Sequence, residues 1–191
     1  MINAGCAIHD SQNLSCDSKV IDSAVAGCEN CFQQIVIRYQ DKLLSFILRR
    51  VKSQYDAEDI LQDTFVQAYK NLATYDNRWQ FSTWIYTIAN RLIISFFRKN
   101  KINATTLEEN SIATLETSFE NIEIREQTNI FWEKLSDNLP DNQFSAIWLK
   151  YAGQMKVKQI AEILGKSEAN IKIILFRARN SIANLFADQL A

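Results

Sequence analysis

One proline and four glycines in 191 residues leave few of the breaks that strand-and-turn architectures need. The scarcity points to a chain of helices. A single histidine, no glycine-rich phosphate loop and no nucleophile beside an evident base argue against an enzyme. No catalytic residue, cofactor or small-molecule substrate is therefore expected. No apolar run reaches the roughly 18 residues that a membrane span requires, so no membrane insertion is expected. The opening stretch Met1 to Val20 has no basic region leading into an apolar core, so it does not read as a secretory signal. These readings place the protein in the cytoplasm, where its cysteines are thiols rather than disulfides.

The cysteines carry one competing pattern. Cys6-x-x-His9 and Cys28-x-x-Cys31 offer four soft ligands at zinc-like spacing. Against a metal or redox site, Cys28 and Cys31 stand at the entry to a helical pattern, where small residues pack. Cys6 and His9 fall in a segment without periodicity. Thiols without a metal are the preferred reading.

Apolar residues make up 47% of the chain and charged residues 23%, enough for real cores and too apolar for wholesale disorder. The formal net charge is −1, which argues against a protein that merely coats nucleic acid. Its distribution is more informative. Residues 101–134 hold seven glutamates (108, 109, 116, 120, 123, 126 and 133) against Lys101, Arg125 and Lys134. Residues 150–179 reverse this, with lysines at 150, 156, 158, 166 and 172 and arginines at 177 and 179 against Glu162 and Glu168. A basic module follows an acidic connector.

Helical spacing runs from Lys19 to Lys52 through Val20, Ala24, Phe32, Ile35, Val36, Tyr39, Leu43, Phe46 and Ile47, with Gly27 dividing two helices. Ser53 and Asp56 have the form of a capping box for a third helix. That helix carries Ile60, Leu61, Phe65 and Ala68 on one face and Asp59, Gln62 and Asp63 on another. Tyr75 to Gln80 interrupts it with turn-forming Asp and Asn. Ser82 is placed to cap a fourth helix with Trp84, Ile85, Ile88, Ala89, Leu92, Ile93 and Phe96 as its apolar stripe. Periodicity returns near Ile122, and Pro140 starts another helix that ends near Gly153. Two last helices, about 156–164 and 168–187, are joined by Gly165-Lys166-Ser167. The fold class expected is all-α: two small helical domains joined by an acidic flexible linker, the second containing a helix-turn-helix. The bounds expected are a mobile tail at 1–18, a first domain at 19–100, the linker at 101–134 and a second domain at 135–191.

Three constellations bear on function. In the last helix pair, Ala161 is small where two helices would cross, Gly165 suits the positive φ of the turn, Ser167 can cap the second helix and Ile171 can plug its core. The second helix would then turn Glu168, Ala169, Asn170 and Lys172 toward a major groove; an ordinary helical hairpin is the plainer alternative. The segment Arg78 to Tyr86, RWQFSTWIY, joins Trp79, Phe81 and Trp84 to a cation, a combination that stacks exposed bases, although aromatics at helical spacing are more often core. Arg91, Arg98 and Lys99 extend that helix with positive charge. The acids Asp56, Glu58, Asp59 and Asp63 suit a basic partner, yet alone they read as a solvated helix start favoured by the helix dipole.

The order of the pieces decides between these readings. DAEDILQDTFVQAYKNL, then FSTWIYTIANRLI, then IAEILG and LFRAR resemble the bacterial sigma factors of the extracytoplasmic-function group, over about Val20 to Phe186. The resemblance implies a promoter-specificity subunit that binds core RNA polymerase and recognises and melts promoter DNA. It implies that Asp59, Gln62 and Asp63, with Asp56 before them, bind polymerase. It implies that Arg78, Trp79, Phe81, Trp84, Arg91, Arg98 and Lys99 serve the minus-ten element. It assigns Lys166, Ser167, Asn170, Lys172, Arg177 and Arg179 to the minus-35 element, and it leaves room for an anti-sigma factor as a further partner. One departure matters: Ile173 and Ile174 replace a polar and a basic residue of the usual recognition helix, and an isoleucine makes no charge-assisted phosphate contact. The alternatives are a helix-turn-helix regulator, or a sigma-like adaptor or antagonist, that does not itself initiate transcription.

Overall fold

The computed structural model describes residues 15–103 and 122–187. Among them every regular element is helical: α1 (Ser15–Val25), α2 (Glu29–Val51), α3 (Gln54–Asn71), a 3-10 turn (Leu72–Thr74), α4 (Phe81–Asn103), α5 (Ile122–Asn138), α6 (Asp141–Tyr151), α7 (Val157–Leu164) and α8 (Glu168–Leu185). Cys6, His9 and most of the acidic stretch lie outside the described residues. Helix α1 begins at Ser15, inside the segment expected to be a tail, and α4 and α5 both reach into the segment expected to be a linker.

The first unit forms because α2, α3 and α4 each bury one stripe. Leu43, Phe46 and Ile47 of α2 meet Ala57, Ile60, Phe65 and Ala68 of α3 and Ile85, Ala89 and Ile93 of α4, all within a tenth of full burial. The Ser53 hydroxyl accepts from the Asp56 N–H at 3.4 Å and starts α3 as its N-cap. Ser82 does not cap α4. The helix already begins at Phe81, and the Trp84 N–H donates to the Gln80 carbonyl at 3.3 Å.

In the second unit, Leu135 of α5, Phe144, Ile147 and Leu149 of α6, Ile160 and Ile163 of α7 and Ile171, Ile174, Leu175 and Ala178 of α8 share a core. Two glycines fix its turns. A Cβ on Gly153 would lie 2.8 Å from the Leu149 carbonyl oxygen, so the chain leaves α6 only with a hydrogen there. Gly165 has φ +63 and ends α7 with the Lys166 N–H donating to Ala161 O at 2.9 Å, the left-handed cap that joins the two helices of a helix-turn-helix. Ser167 then caps α8, accepting from the Asn170 N–H at 3.2 Å.

The two units pack directly on each other. Trp148 of α6 lies 5.3 Å from the Phe46 ring centre and 6.2 Å from that of Tyr86. Polar contacts surround this aromatic seam. Arg50 donates Nη1 to Asn90 Oδ1 at 2.6 Å, and Asn90 Nδ2 donates to the Ile163 carbonyl at 2.9 Å. Lys52 meets Asp137 at 2.6 Å, and Arg49 Nη2 donates to Asn129 Oδ1 at 2.9 Å. Each ties α2 to α5.

Candidate nucleic-acid interface

Helix α3 turns its hydrophobic stripe inward, which leaves Glu58, Asp59, Gln62 and Asp63 exposed on the opposite side. Asp56 is half-buried in the first turn, where its backbone is engaged by Ser53. The acids expected to meet polymerase thus form one outward face, with Asp56 at its inner edge.

The loop before α4 is held by its own charges. Asp76 accepts from Arg78 Nε at 2.8 Å, from Nη2 at 2.5 Å and from the Arg78 backbone N–H at 3.0 Å. These bonds hold the Asp76 carboxyl below its ordinary pKa and raise that of Arg78. Tyr75 adds a hydroxyl bond to the Trp79 carbonyl at 2.5 Å. The turn leaves Trp79 44% exposed.

Phe81 corrects the sequence reading. It is 3% exposed and packs against Tyr39, Tyr75 and Trp84 with ring centres 5.3 to 5.4 Å away. A side chain so enclosed cannot stack a base, because its faces are already covered; the sequence could not separate a loop aromatic from the first core position of α4. Trp84 is half-buried in the same cluster. Arg91, Arg98 and Lys99 are exposed along α4.

On α8 the buried stripe is Ile171, Ile174, Leu175 and Ala178. Lys166, Ser167, Asn170, Lys172, Arg177 and Arg179 all lie outside it and are exposed. The two isoleucines part company: Ile173 is 51% exposed, whereas Ile174 is 6% exposed and belongs to the core. Ile174 therefore never occupies a phosphate-facing position, and its apolar character needs no functional explanation.

The first and second units meet over the candidate minus-ten surface. Gln159 of α7 donates to Gln80 Oε1 at 2.6 Å and to Thr83 Oγ1 at 3.0 Å. The Lys158 ammonium stands 5.2 Å from the Trp79 ring centre, within cation–π range. The sequence reading missed Arg50, Asn90, Lys158 and Gln159. Asn90 is the one with a visible signal, a lone amide between the apolar pairs Ile88–Ala89 and Leu92–Ile93.

Cys28 is half-exposed at the N-cap of α2 and Cys31 is buried; no group of three or more metal-ligating side chains occurs among the described residues. No described helix is long and apolar enough to cross a membrane.

The family model for Sigma-70 region 2 matches residues 35–102, and that for Sigma-70 region 4 matches 132–182. The ECF RNA polymerase sigma factor SigM of Bacillus subtilis (strain 168) is 30% identical over 158 residues, 80% of this chain and 93% of that one. The chain belongs to the ECF RNA polymerase sigma factors. It is thus an RNA polymerase sigma subunit that directs transcription initiation. SigW of the same organism is 29% identical over 181 residues, covering 89% of this sigma factor and 96% of SigW. Two solved structures share its fold. CnrH, in complex with the cytosolic domain of CnrY, is 21% identical with a TM-score of 0.67, covering 90% of this chain and 97% of that one. RpoE, in complex with the anti-sigma factor NepR from Bartonella quintana, is 23% identical with a TM-score of 0.68, covering 82% and 96%.

Proposed function

We propose that this sigma factor divides its work among three surfaces. Asp59, Gln62 and Asp63, with Asp56 at the edge, dock on a basic surface of core RNA polymerase. Trp79, held outward by the Asp76–Arg78 turn, stacks a base of the opened minus-ten element while Arg91, Arg98 and Lys99 hold its phosphates. The exposed cations of α8 seat the helix in the duplex of the minus-35 element. Residues 19–100 and 135–191 are the two working domains and 101–134 the acidic connector. The protein acts in the cytoplasm and performs no catalysis of its own. An anti-sigma factor is the partner class that the RpoE–NepR complex suggests for it.

The reading rests on one observation: a single chain carries an outward acidic face on α3 and separate outward cationic faces on α4 and α8. Acid cannot hold DNA phosphates, and a cationic reading helix has no use for a basic polymerase surface, so two kinds of partner are implied.

The packing of α7 on α4 adds a requirement. Elements centred about 25 base pairs apart lie roughly 85 Å apart along a duplex, at ~3.4 Å per pair. Gln159 and Gln80, 2.6 Å apart, cannot serve both at once. The units must separate when promoter DNA is engaged.

The test is a pull-down of core polymerase followed by transcription from duplex and pre-melted promoters. Core binding with promoter-directed transcripts on both templates is the expected result. Core binding without any transcript would instead favour an adaptor or antagonist, and transcription control without core binding would favour an ordinary helix-turn-helix regulator.

A further inference from the structure

Ile173 is a large apolar side chain on an exposed surface of α8 that is flanked by charge. With 3.6 residues per turn, Ala169, Ile173 and Phe176 fall on one stripe of α8, opposite the buried stripe of Ile171, Ile174, Leu175 and Ala178. Ile173 is 51% exposed and Phe176 62% exposed. Lys172 lies about 100° to one side of Ile173 around the helix and Arg177 about 40° to the other. Both cations are exposed, as are Lys166 and Arg179. A helix seated in a major groove by these flanking cations pushes its central stripe toward the base edges.

Ile173 has no donor or acceptor, so it reads neither guanine, adenine nor cytosine by hydrogen bonds. Thymine alone adds an apolar group, the C5 methyl, to the major-groove edge. We propose that Ile173 is a specificity-determining residue that packs on a thymine methyl in the upstream promoter element. Phe176 shares the stripe nearly a turn further from the helix N-terminus, the end that enters the groove. The proposal rests on the promoter-reading function given above, and its commitment to DNA rather than a protein partner comes from the cations on both sides of the stripe.

The experiment selects upstream sequences with holoenzyme reconstituted from the full chain and core polymerase. Each selected thymine is then replaced by deoxyuridine, which removes only the methyl. One position is expected where this substitution weakens promoter binding about fourfold, the effect of one buried methyl group. Ile173→Ser should weaken binding to the thymine promoter by a similar factor, and the two changes together should add nothing further. Ile173→Val should retain sensitivity to the methyl. Equal thermal stability of the variants identifies the effect as recognition rather than folding.

The inference is overturned if no deoxyuridine position depends on residue 173. It is also overturned if Ile173→Ser leaves DNA selection intact and weakens core binding instead, for the residue then faces protein. Absence of promoter-directed transcription by the unaltered holoenzyme would remove the sigma-factor reading itself, and the inference with it.

Discussion

Arg50 of α2 grips Asp141 of α6 with two parallel bonds, Nε to Oδ1 at 2.9 Å and Nη2 to Oδ2 at 2.6 Å. The arginine side chain is 4% exposed and the aspartate 57%. Its third bond goes to Asn90, so one buried guanidinium joins α2, α4 and α6.

Removing the aspartate leaves a buried charge with half its partners, whereas removing the arginine leaves an aspartate already in water. Asp141→Ala should therefore lower stability by roughly 1–3 kcal/mol, the range for charged hydrogen bonds. The exposed side of the pair and its screening favour the lower half of that range. Urea unfolding would measure the loss. A distance probe between α4 and α8 should report a greater separation in this variant, since the pair spans the seam between the two units. An unchanged distance distribution would show that the aromatic seam and the remaining polar contacts hold the units together without this pair.

Tyr86 lies in that seam, 2% exposed, and its hydroxyl has no hydrogen-bond partner. Burial also pushes its pKa up, so the group stays protonated and its donor goes unused. Tyr86→Phe keeps the ring against Phe46 and Trp148 while removing the orphaned donor. Stability should hold or rise by about 1 kcal/mol, because an unmet buried polar group costs on the order of 1–3 kcal/mol. A thermal melt settles the sign. If the closed packing hinders promoter engagement, the same variant should initiate more slowly at equal core occupancy.

Reversing charge at Asp59 and Asp63 tests the polymerase surface. Both are exposed, so helicity and melting should change little, within about 0.5 kcal/mol per site. Core affinity should fall by roughly 2–5 kcal/mol in total if the pair becomes buried against basic residues. Equal core affinity in a titration of the double variant would remove the assignment.

Trp79→Ala and Phe81→Ala, although two residues apart, should fail differently. Trp79 is exposed, and its loss should impair duplex promoters more than pre-melted ones, by the ~1–3 kcal/mol of one stacked base. Phe81 is a core ring among Tyr39, Tyr75 and Trp84. Its truncation should destabilise the fold by about 3–5 kcal/mol and reduce both templates alike. Comparing the two template ratios separates recognition from folding.

That contrast shows where sequence reasoning stops. The helical class, the Gly165 turn, the Ser167 cap and the inward Ile171 follow from local physics, since each depends on residues within one turn of the chain. The acidic face of α3 was legible for the same reason, as the complement of a regular apolar stripe. Phe81 was not, because its burial is decided by Tyr39 on a different helix. Arg50 and Asn90 were invisible as partners, being 40 residues apart in sequence and joined only by packing. The closeness of the two units was likewise beyond reach, because nothing local marks α7 as resting on α4.

Helix α8 offers the sharpest separation of two neighbouring positions. Ile174 is core, so Ile174→Arg places a charge where Leu175 and Ile171 pack and should unfold the helix-turn-helix, a loss exceeding about 3 kcal/mol. Lys172 is exposed, so Lys172→Ala should leave the melting temperature nearly unchanged. Its signature belongs in DNA binding. Each phosphate contact contributes a slope of about −0.9 in log affinity against log salt. Loss of the Lys172 contact should flatten the slope of holoenzyme binding by about that amount and weaken many sequences alike, as should loss of Arg177. A Lys172→Ala variant with an unchanged slope but altered sequence preference would place that lysine on a base edge. The groove-facing side of α8 would then be rotated toward Lys172, and Ile173 would sit at the rim of the contact rather than at its centre.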